Sequence, residues 1–94
     1  METYETNVPK HGVIERKEDE DAFLFDPETG DLVCVNRLGF FIWSSLKEKL
    51  SKEEIVRRIV GEHDGIDGAT VEKDVDRFIG ILTKRAFLGI PLSA

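Results

Sequence analysis

Side chains that commonly carry out catalysis are few in this sequence, and they are widely spaced. Cys34 is the single cysteine, and no histidine lies near it along the chain to form a thiolate–imidazole pair. His63, Asp64 and Asp67 could donate metal ligands, but their spacing matches neither a calcium-binding loop nor the HExxH zinc pattern. Nothing resembles a phosphate-binding loop or a Ser-His-Asp set. The sequence therefore predicts no catalytic residue, no metal site and no cofactor, and Cys34 is expected to be a small buried hydrophobic residue.

Composition limits the kinds of partner that this protein can have. The chain has 94 residues, enough for one domain, with 13 basic and 19 acidic residues and a net charge of −6. A negative protein is repelled by nucleic acid phosphates and by anionic lipid, so neither is an expected partner. The N-terminus lacks the pattern of a signal peptide, and no apolar run approaches the roughly 20 residues that span a membrane. These features, with a single cysteine, predict a cytoplasmic protein.

Three segments in the first part of the chain have the composition of β-strands. They cover Gly12–Arg16, Ala22–Asp26 and Asp31–Val35. The five charged residues Lys17–Asp21 separate the first two and are expected to form a solvated turn. Between the second and third, Asp26–Gly30 combines a proline that presets φ with a glycine that accepts positive φ. The pattern predicts a three-stranded antiparallel sheet that ends in a tight hairpin.

Three helices follow the strands. Asn36 can cap the first helix with its side-chain oxygen, and apolar residues then recur at helical spacing. Ser51 and Glu54 match a capping box at the start of the second helix, which is expected to end near residues 61–64. Thr70 is predicted to cap the third helix. The core-facing residues of that helix are predicted to be Val71, Val75, Phe78, Ile79 and Leu82.

The order of the elements indicates the fold class. Strands followed by helices are typical of an α+β domain, and packing this sheet on three helices gives a winged helix-turn-helix-like fold. Residues 1–11 are polar and lack periodicity, so they are expected to form a flexible N-terminal tail. The folded domain is expected over residues 12–90, with 91–94 as a short C-terminal tail.

The hairpin and the first helix resemble a known family. Their order is an apolar strand, a proline–glycine turn, a second apolar strand that ends in asparagine, and a helix with a small residue before an aromatic-rich stretch. These features lie in Phe23–Gly30, Leu32–Asn36 and Gly39–Trp43. The arrangement is similar to the pyrroloquinoline quinone biosynthesis protein D family, over about Val13 to Leu88. The sequence departs from that pattern mildly at Ala86, where glycine is usual, and at Val35, where leucine is common.

The resemblance implies a peptide-recognition module of the pathways that modify ribosomally made peptides. Its relatives bind the leader segment of a precursor peptide and present the peptide to a modifying enzyme, often a radical S-adenosylmethionine enzyme. In that family the leader adds as an extra strand along the third strand and lies against the third helix. The residues expected to bind peptide are therefore Asp31, Leu32, Val33, Cys34, Val35, Asp74, Phe78, Ile81 and Arg85.

The residues themselves are compatible with strand addition. The third strand comes last in the sheet and lacks the proline or lysine that blunts a strand edge. Alternation puts Val33 and Val35 on one face and Leu32 and Cys34 on the other, and because both sets are apolar the second face should also be covered. On the third helix, a rotation of roughly 100° per residue aligns four residues on one shoulder of the apolar stripe. They are Asp74, Phe78, Ile81 and Arg85, and each also has a plain structural role, in the core or at a helix end.

Two other function classes fit the same fold. A winged-helix DNA-binding regulator needs cationic side chains for phosphate contacts, and Arg57 and Arg58 on the second helix favour that alternative. Its third helix, however, carries acidic residues as well as basic ones. A purely structural subunit that docks on an enzyme without touching peptide is the other possibility. An exposed edge strand can also pair with a second copy, so the sequence leaves the oligomeric state open.

Overall fold

The structure is a computed structural model that describes residues 4–62 and 65–91. The elements in these ranges follow the order of four strands, three helices and a final strand. Their bounds are β1 Tyr4–Pro9, β2 Ile14–Glu18, β3 Asp21–Asp26, β4 Asp31–Val35, α1 Arg37–Lys47, α2 Lys52–Glu62, α3 Gly68–Lys84 and β5 Leu88–Pro91. The predicted α+β fold, a three-stranded antiparallel sheet followed by three helices, is confirmed.

The three-stranded sheet is a meander in the order β2-β3-β4. Leu24 pairs with Val33 and Ala22 pairs with Val35 across the central and last strands, and all four side chains are buried. The connecting turn depends on Gly30, which has a φ of 80° and donates its N–H to the Asp26 carbonyl at 2.7 Å. The predicted hairpin and the bounds of β4 are therefore confirmed.

The turn between the first two strands of this sheet has fewer residues than predicted. Lys17 and Glu18 continue β2, and Asp21 begins β3 as the partner of Glu18. The turn consists of Asp19, which has a φ of 55°, and Glu20. The prediction that all five charged residues form a turn is wrong because exposed strand positions accept charged side chains without burying them.

Two of the three predicted helix starts are correct. The Asn36 side chain accepts the N–H of Gly39 at 2.8 Å, and the Ser51 hydroxyl accepts the N–H of Glu54 at 3.1 Å. Thr70 is not the cap of α3, however. The cap is Asp67, and Thr70 lies in the first turn, where its hydroxyl donates to the Asp67 carboxylate at 3.1 Å. Either residue type suits a cap, so composition did not distinguish the two positions.

The core lies between the inner face of the sheet and the three helices. Its largest member, Trp43 of α1, meets the ring of Phe87 edge-on, with centroids 6.3 Å apart. The other buried helical residues are Ile42 and Leu46 of α1, Ile55 and Ile59 of α2, and Val71, Val75 and Leu82 of α3. Each helix therefore contributes one buried face to a common core, and α2 does so by packing on α3.

The N-terminal segment is not the loose tail that the sequence predicted. Tyr4–Pro9 forms β1, which pairs antiparallel with β5 and brings Tyr4 opposite Pro91. The N–H of Lys10 also donates to the Phe87 carbonyl at 2.8 Å, which extends the contact between the two ends. A local pattern cannot reveal a strand whose partner lies at the other end of the chain. Residues 1–3 and 92–94 lie outside the described residues.

Candidate functional site

β4 is one of the two edge strands of the three-stranded sheet, because β3 covers only one of its sides. Its side chains alternate as predicted: Val33 and Val35 are buried, whereas Leu32 is 52% exposed and Cys34 is also exposed. The expectation that Cys34 is buried is therefore wrong, since the face of the sheet to which it belongs is open. Val33 and Val35 point into the core, so their side chains are not available to a ligand at this edge.

Two residues of β4 direct their backbone N–H and C=O groups toward the open side of the strand. Alternate residues in an antiparallel ladder bond to the neighbouring strand, and those between them direct N–H and C=O away from it. Leu32 belongs to the second set: its N–H donates to the Asp31 carboxylate at 2.9 Å, and its carbonyl accepts from Arg85 at 3.4 Å. Cys34, two residues further on, directs its N–H and C=O the same way.

A cleft of about 300 Å³ lies between α1 and α3, beside the end of β4. The α3 side of the cleft is lined by Asp74, Phe78 and Ile81, all predicted from the sequence. Arg77, which was not predicted, also lines it. Ile81 is 43% exposed, so part of its apolar side chain faces solvent. The other wall was not predicted and consists of Asn36, Leu38, Gly39 and Ile42. Their position directly after the edge strand is the sequence signal that could have identified them.

Gly39 determines how closely the two walls approach. A Cβ at this position would lie 3.0 Å from Cε1 of Phe78 and 3.2 Å from Cβ of Val35. Because glycine has no Cβ, the half-buried Phe78 ring packs directly against the backbone of α1. The ring thereby lines the cleft and also packs against the core, and its contact with a peptide stays a prediction.

Two of the charged residues predicted for the site, Asp74 and Arg85, lie apart in the structure. Asp74 lines the cleft, whereas Arg85 lies at the C-terminal end of α3, beside the start of β4. There Arg85 forms an ion pair with Asp31 at 3.3 Å. Apart from the buried Val33 and Val35, the predicted peptide-binding residues thus form a cleft group (Asp74, Phe78 and Ile81) and an edge group (Asp31, Leu32, Cys34 and Arg85).

The outer face of the sheet is a second apolar surface next to the edge. Ile14, Phe23, Phe25 and Leu32 line a shallow depression of about 400 Å³ together with Arg16 and Glu18. Ile14 is 53% exposed. The sequence suggested that something should cover this face, but no element of residues 4–62 or 65–91 does so.

Hydrogen-bonded ion pairs beside the sheet shift the pKa values of Asp26, Lys10 and Glu15. The hydrogen bond from Lys10 at 2.8 Å holds the pKa of the buried Asp26 carboxyl below its usual range, despite the opposing effect of burial. The same contact raises the pKa of Lys10. Burial tends to raise the pKa of Glu15, but hydrogen bonds from Lys47 and Trp43 outweigh it and lower the pKa.

The part of the chain that the structure describes shows neither a group of metal ligands nor a membrane-spanning helix. It holds no cluster of three or more histidine, cysteine or acidic side chains suited to a metal ion. His63 and Asp64, weighed above as metal ligands, lie outside that part. No helix in it has the length and apolar character needed to cross a membrane.

Comparisons with known proteins agree with this fold. The family model described as coenzyme PQQ synthesis protein D matches residues 21–88. The solved structure of TbiB1 in complex with the TbiA(beta) leader peptide is 31% identical, with a TM-score of 0.77 over 86% of this chain and 93% of that one. Lasso peptide synthetase B1, solved in complex with its leader peptide, shares the fold at 17% identity, with a TM-score of 0.73 over 88% of this chain and 95% of that one.

No curated protein sequence matches the chain. None of the similarities favours the DNA-binding alternative. The family model spans most of the chain, including β3, β4 and all three helices. The chain therefore belongs to the coenzyme PQQ synthesis protein D family.

Proposed function

We propose that this protein binds the leader segment of a ribosomally made precursor peptide and presents the peptide to a modifying enzyme. The observation that carries the proposal is the open edge of β4 beside the apolar cleft on α3. The two similar solved structures support it, because each of those proteins was solved with a leader peptide. The binding role is also that of the family to which the chain belongs.

The mode of binding is addition of a strand to β4. An extended peptide gains affinity from main-chain hydrogen bonds to an open edge and specificity from pockets for alternate side chains. The edge-directed groups of Leu32 and Cys34 would supply two N–H donors and two carbonyl acceptors. Each such bond contributes about 1 kcal/mol net, too little for tight binding without side-chain contacts.

The cleft between α1 and α3 provides those contacts. An apolar leader side chain that points toward α3 would pack on Ile81 and on the ring of Phe78. Asp74 and Arg77 add one charge of each sign to the lining, so they would orient polar leader groups without favouring one sign. The main-chain hydrogen bonds and side-chain contacts favour binding, and the cost of ordering a flexible peptide opposes it. Together they correspond to a dissociation constant on the order of micromolar.

The proposed partner of this protein is a peptide-modifying enzyme. Family membership implies an enzyme that modifies the precursor peptide, and the radical S-adenosylmethionine class is the expectation carried by the resemblance. We place the complex in the cytoplasm, where a ribosomally made precursor first meets its modifying enzyme and where a single exposed thiol stays reduced.

The test is a titration of ¹⁵N-labelled protein with a synthetic peptide. The probe is the N-terminal half of any short peptide encoded beside the gene for this chain, and a scrambled peptide of the same composition is the control. The largest amide shifts are expected at Leu32, Cys34, Phe78 and Ile81. An absence of shifts on β4 and α3 at millimolar peptide would refute leader binding.

A further inference from the structure

The edge of β4 is covered at one of its two open positions by side chains of the protein itself. At Leu32, the carboxylate of Asp31 accepts the backbone N–H and the guanidinium of Arg85 donates to the carbonyl. Arg85 and Asp31 are also paired with each other at 3.3 Å. One ion pair therefore bonds both edge-directed groups of a single residue, as the backbone of a neighbouring strand would. We call this arrangement the Asp31–Arg85 clasp.

The clasp and an added strand compete for the same groups. A backbone N–H has one hydrogen, so Leu32 cannot donate to Asp31 and to a peptide carbonyl at the same time. The guanidinium also lies within 3.4 Å of the Leu32 carbonyl, on the side from which a peptide N–H would approach. At Cys34, by contrast, no side chain of residues 4–62 or 65–91 bonds to the backbone, so that position is open.

We propose that the Asp31–Arg85 clasp is an autoinhibitory contact, which closes the edge of β4 in the free protein and must open for the leader to pair along the whole strand. This inference rests on the proposed function. It reverses the role predicted for Asp31 and Arg85, which become competitors of the peptide backbone and not its ligands. Pairing then begins at Cys34, beside the cleft, and proceeds toward Leu32 as the clasp opens.

The expected size of the effect follows from the exposure of the pair. The side chains of Arg85 and Asp31 are 45% and 29% exposed, so solvent screens their attraction and opening is readily reversible. Removing an exposed ion pair of this kind should tighten peptide binding by about 2- to 5-fold. A deeply buried pair would block the edge permanently, whereas this one only weakens access.

Two variants remove the clasp, and the opposite edge of the sheet provides matched controls. Arg85→Met keeps the apolar stem and removes the donors, and Asp31→Ala removes the acceptor. The controls are Arg16→Met and Glu18→Ala, which break the exposed 2.8 Å ion pair of β2 and change the net charge in the same ways. Amide hydrogen exchange at Leu32 in the free protein is expected to be faster in Asp31→Ala, which removes the acceptor of that N–H, than in the wild type and the controls.

The second readout is the affinity for the synthetic leader peptide described above. Both clasp variants should bind it about 2- to 5-fold more tightly than the wild type, and the controls should not. If the wild type binds but the clasp variants bind equally or more weakly, the inference is refuted and the proposed function stands. If neither the wild type nor the clasp variants bind, the proposed function itself fails. Unchanged exchange at Leu32 in Asp31→Ala would also refute the clasp.

Discussion

Truncation of Ile81 is the most direct test of the cleft on α3. The side chain is 43% exposed in the free protein, and a leader side chain seated in the cleft would cover that fraction. Full burial of an isoleucine side chain is worth about 1.5–3 kcal/mol, so covering the exposed part contributes about 1 kcal/mol. Ile81→Ala should therefore raise the dissociation constant for the leader peptide about 5-fold.

The assay for this prediction compares two exposed isoleucines. Ile66 is 38% exposed, lies before α3 and is not among the residues that line the cleft. Ile66→Ala should leave the dissociation constant unchanged when both variants are titrated with the synthetic peptide by calorimetry. Thermal unfolding of the free variants controls for loss of structure. An equal loss of affinity at both positions, or none at Ile81, would refute the assignment of the cleft to the leader.

Two further predictions concern the frame of the site. Gly39→Ala should destabilise the protein by about 1 kcal/mol in denaturant unfolding, because crowding against Phe78 outweighs the gain in helix propensity. Gly80→Ala, which meets no atom within 4 Å, should stabilise it by about 0.5–1 kcal/mol, and the same gain at both glycines would contradict this account. The hydrogen bond from Lys10 lowers the pKa of Asp26 below its ordinary 3.8, so the contribution of Asp26 to stability is complete above that pH and is lost as the pH falls through the lowered value. The urea midpoint of the wild type should therefore fall more steeply with acid than that of Asp26→Asn, and parallel slopes would show that the ion pair is unimportant.

Local signals predicted the parts of the fold that local chemistry determines. The hairpin of β3 and β4 depends on a turn that needs a proline and a glycine within five residues. The starts of α1 and α2 depend on Asn36 and Ser51, whose side chains bond to N–H groups three residues ahead. Helical spacing likewise brought Asp74, Phe78 and Ile81 to one side of α3, where the structure forms a cleft.

Features that join distant parts of the chain could not be predicted in this way. The pairing of β1 with β5 joins the two ends, and neither strand has a pattern that identifies its partner. The contribution of Gly39 to the cleft depends on the approach of α1 to α3, which spacing within one helix does not report. The contact of Arg85 with Leu32 crosses 53 positions of sequence. Cys34 was misjudged because composition indicates an apolar face but not whether another element covers it.

The pairing of β1 with β5 also determines how this domain can be joined to other proteins. Tyr4 lies opposite Pro91, so a linker attached at either of these two residues starts from nearly the same place. A fusion partner would therefore sit at a similar distance from β4 whether it precedes or follows the domain. A short peptide linker between β5 and β1 would convert this pairing, which has the greatest sequence separation in the fold, into a hairpin. The entropic cost of closing the loop would then be smaller. The exposed turn at Asp19 and Glu20 then offers a place for new termini, which makes the domain a natural candidate for circular permutation.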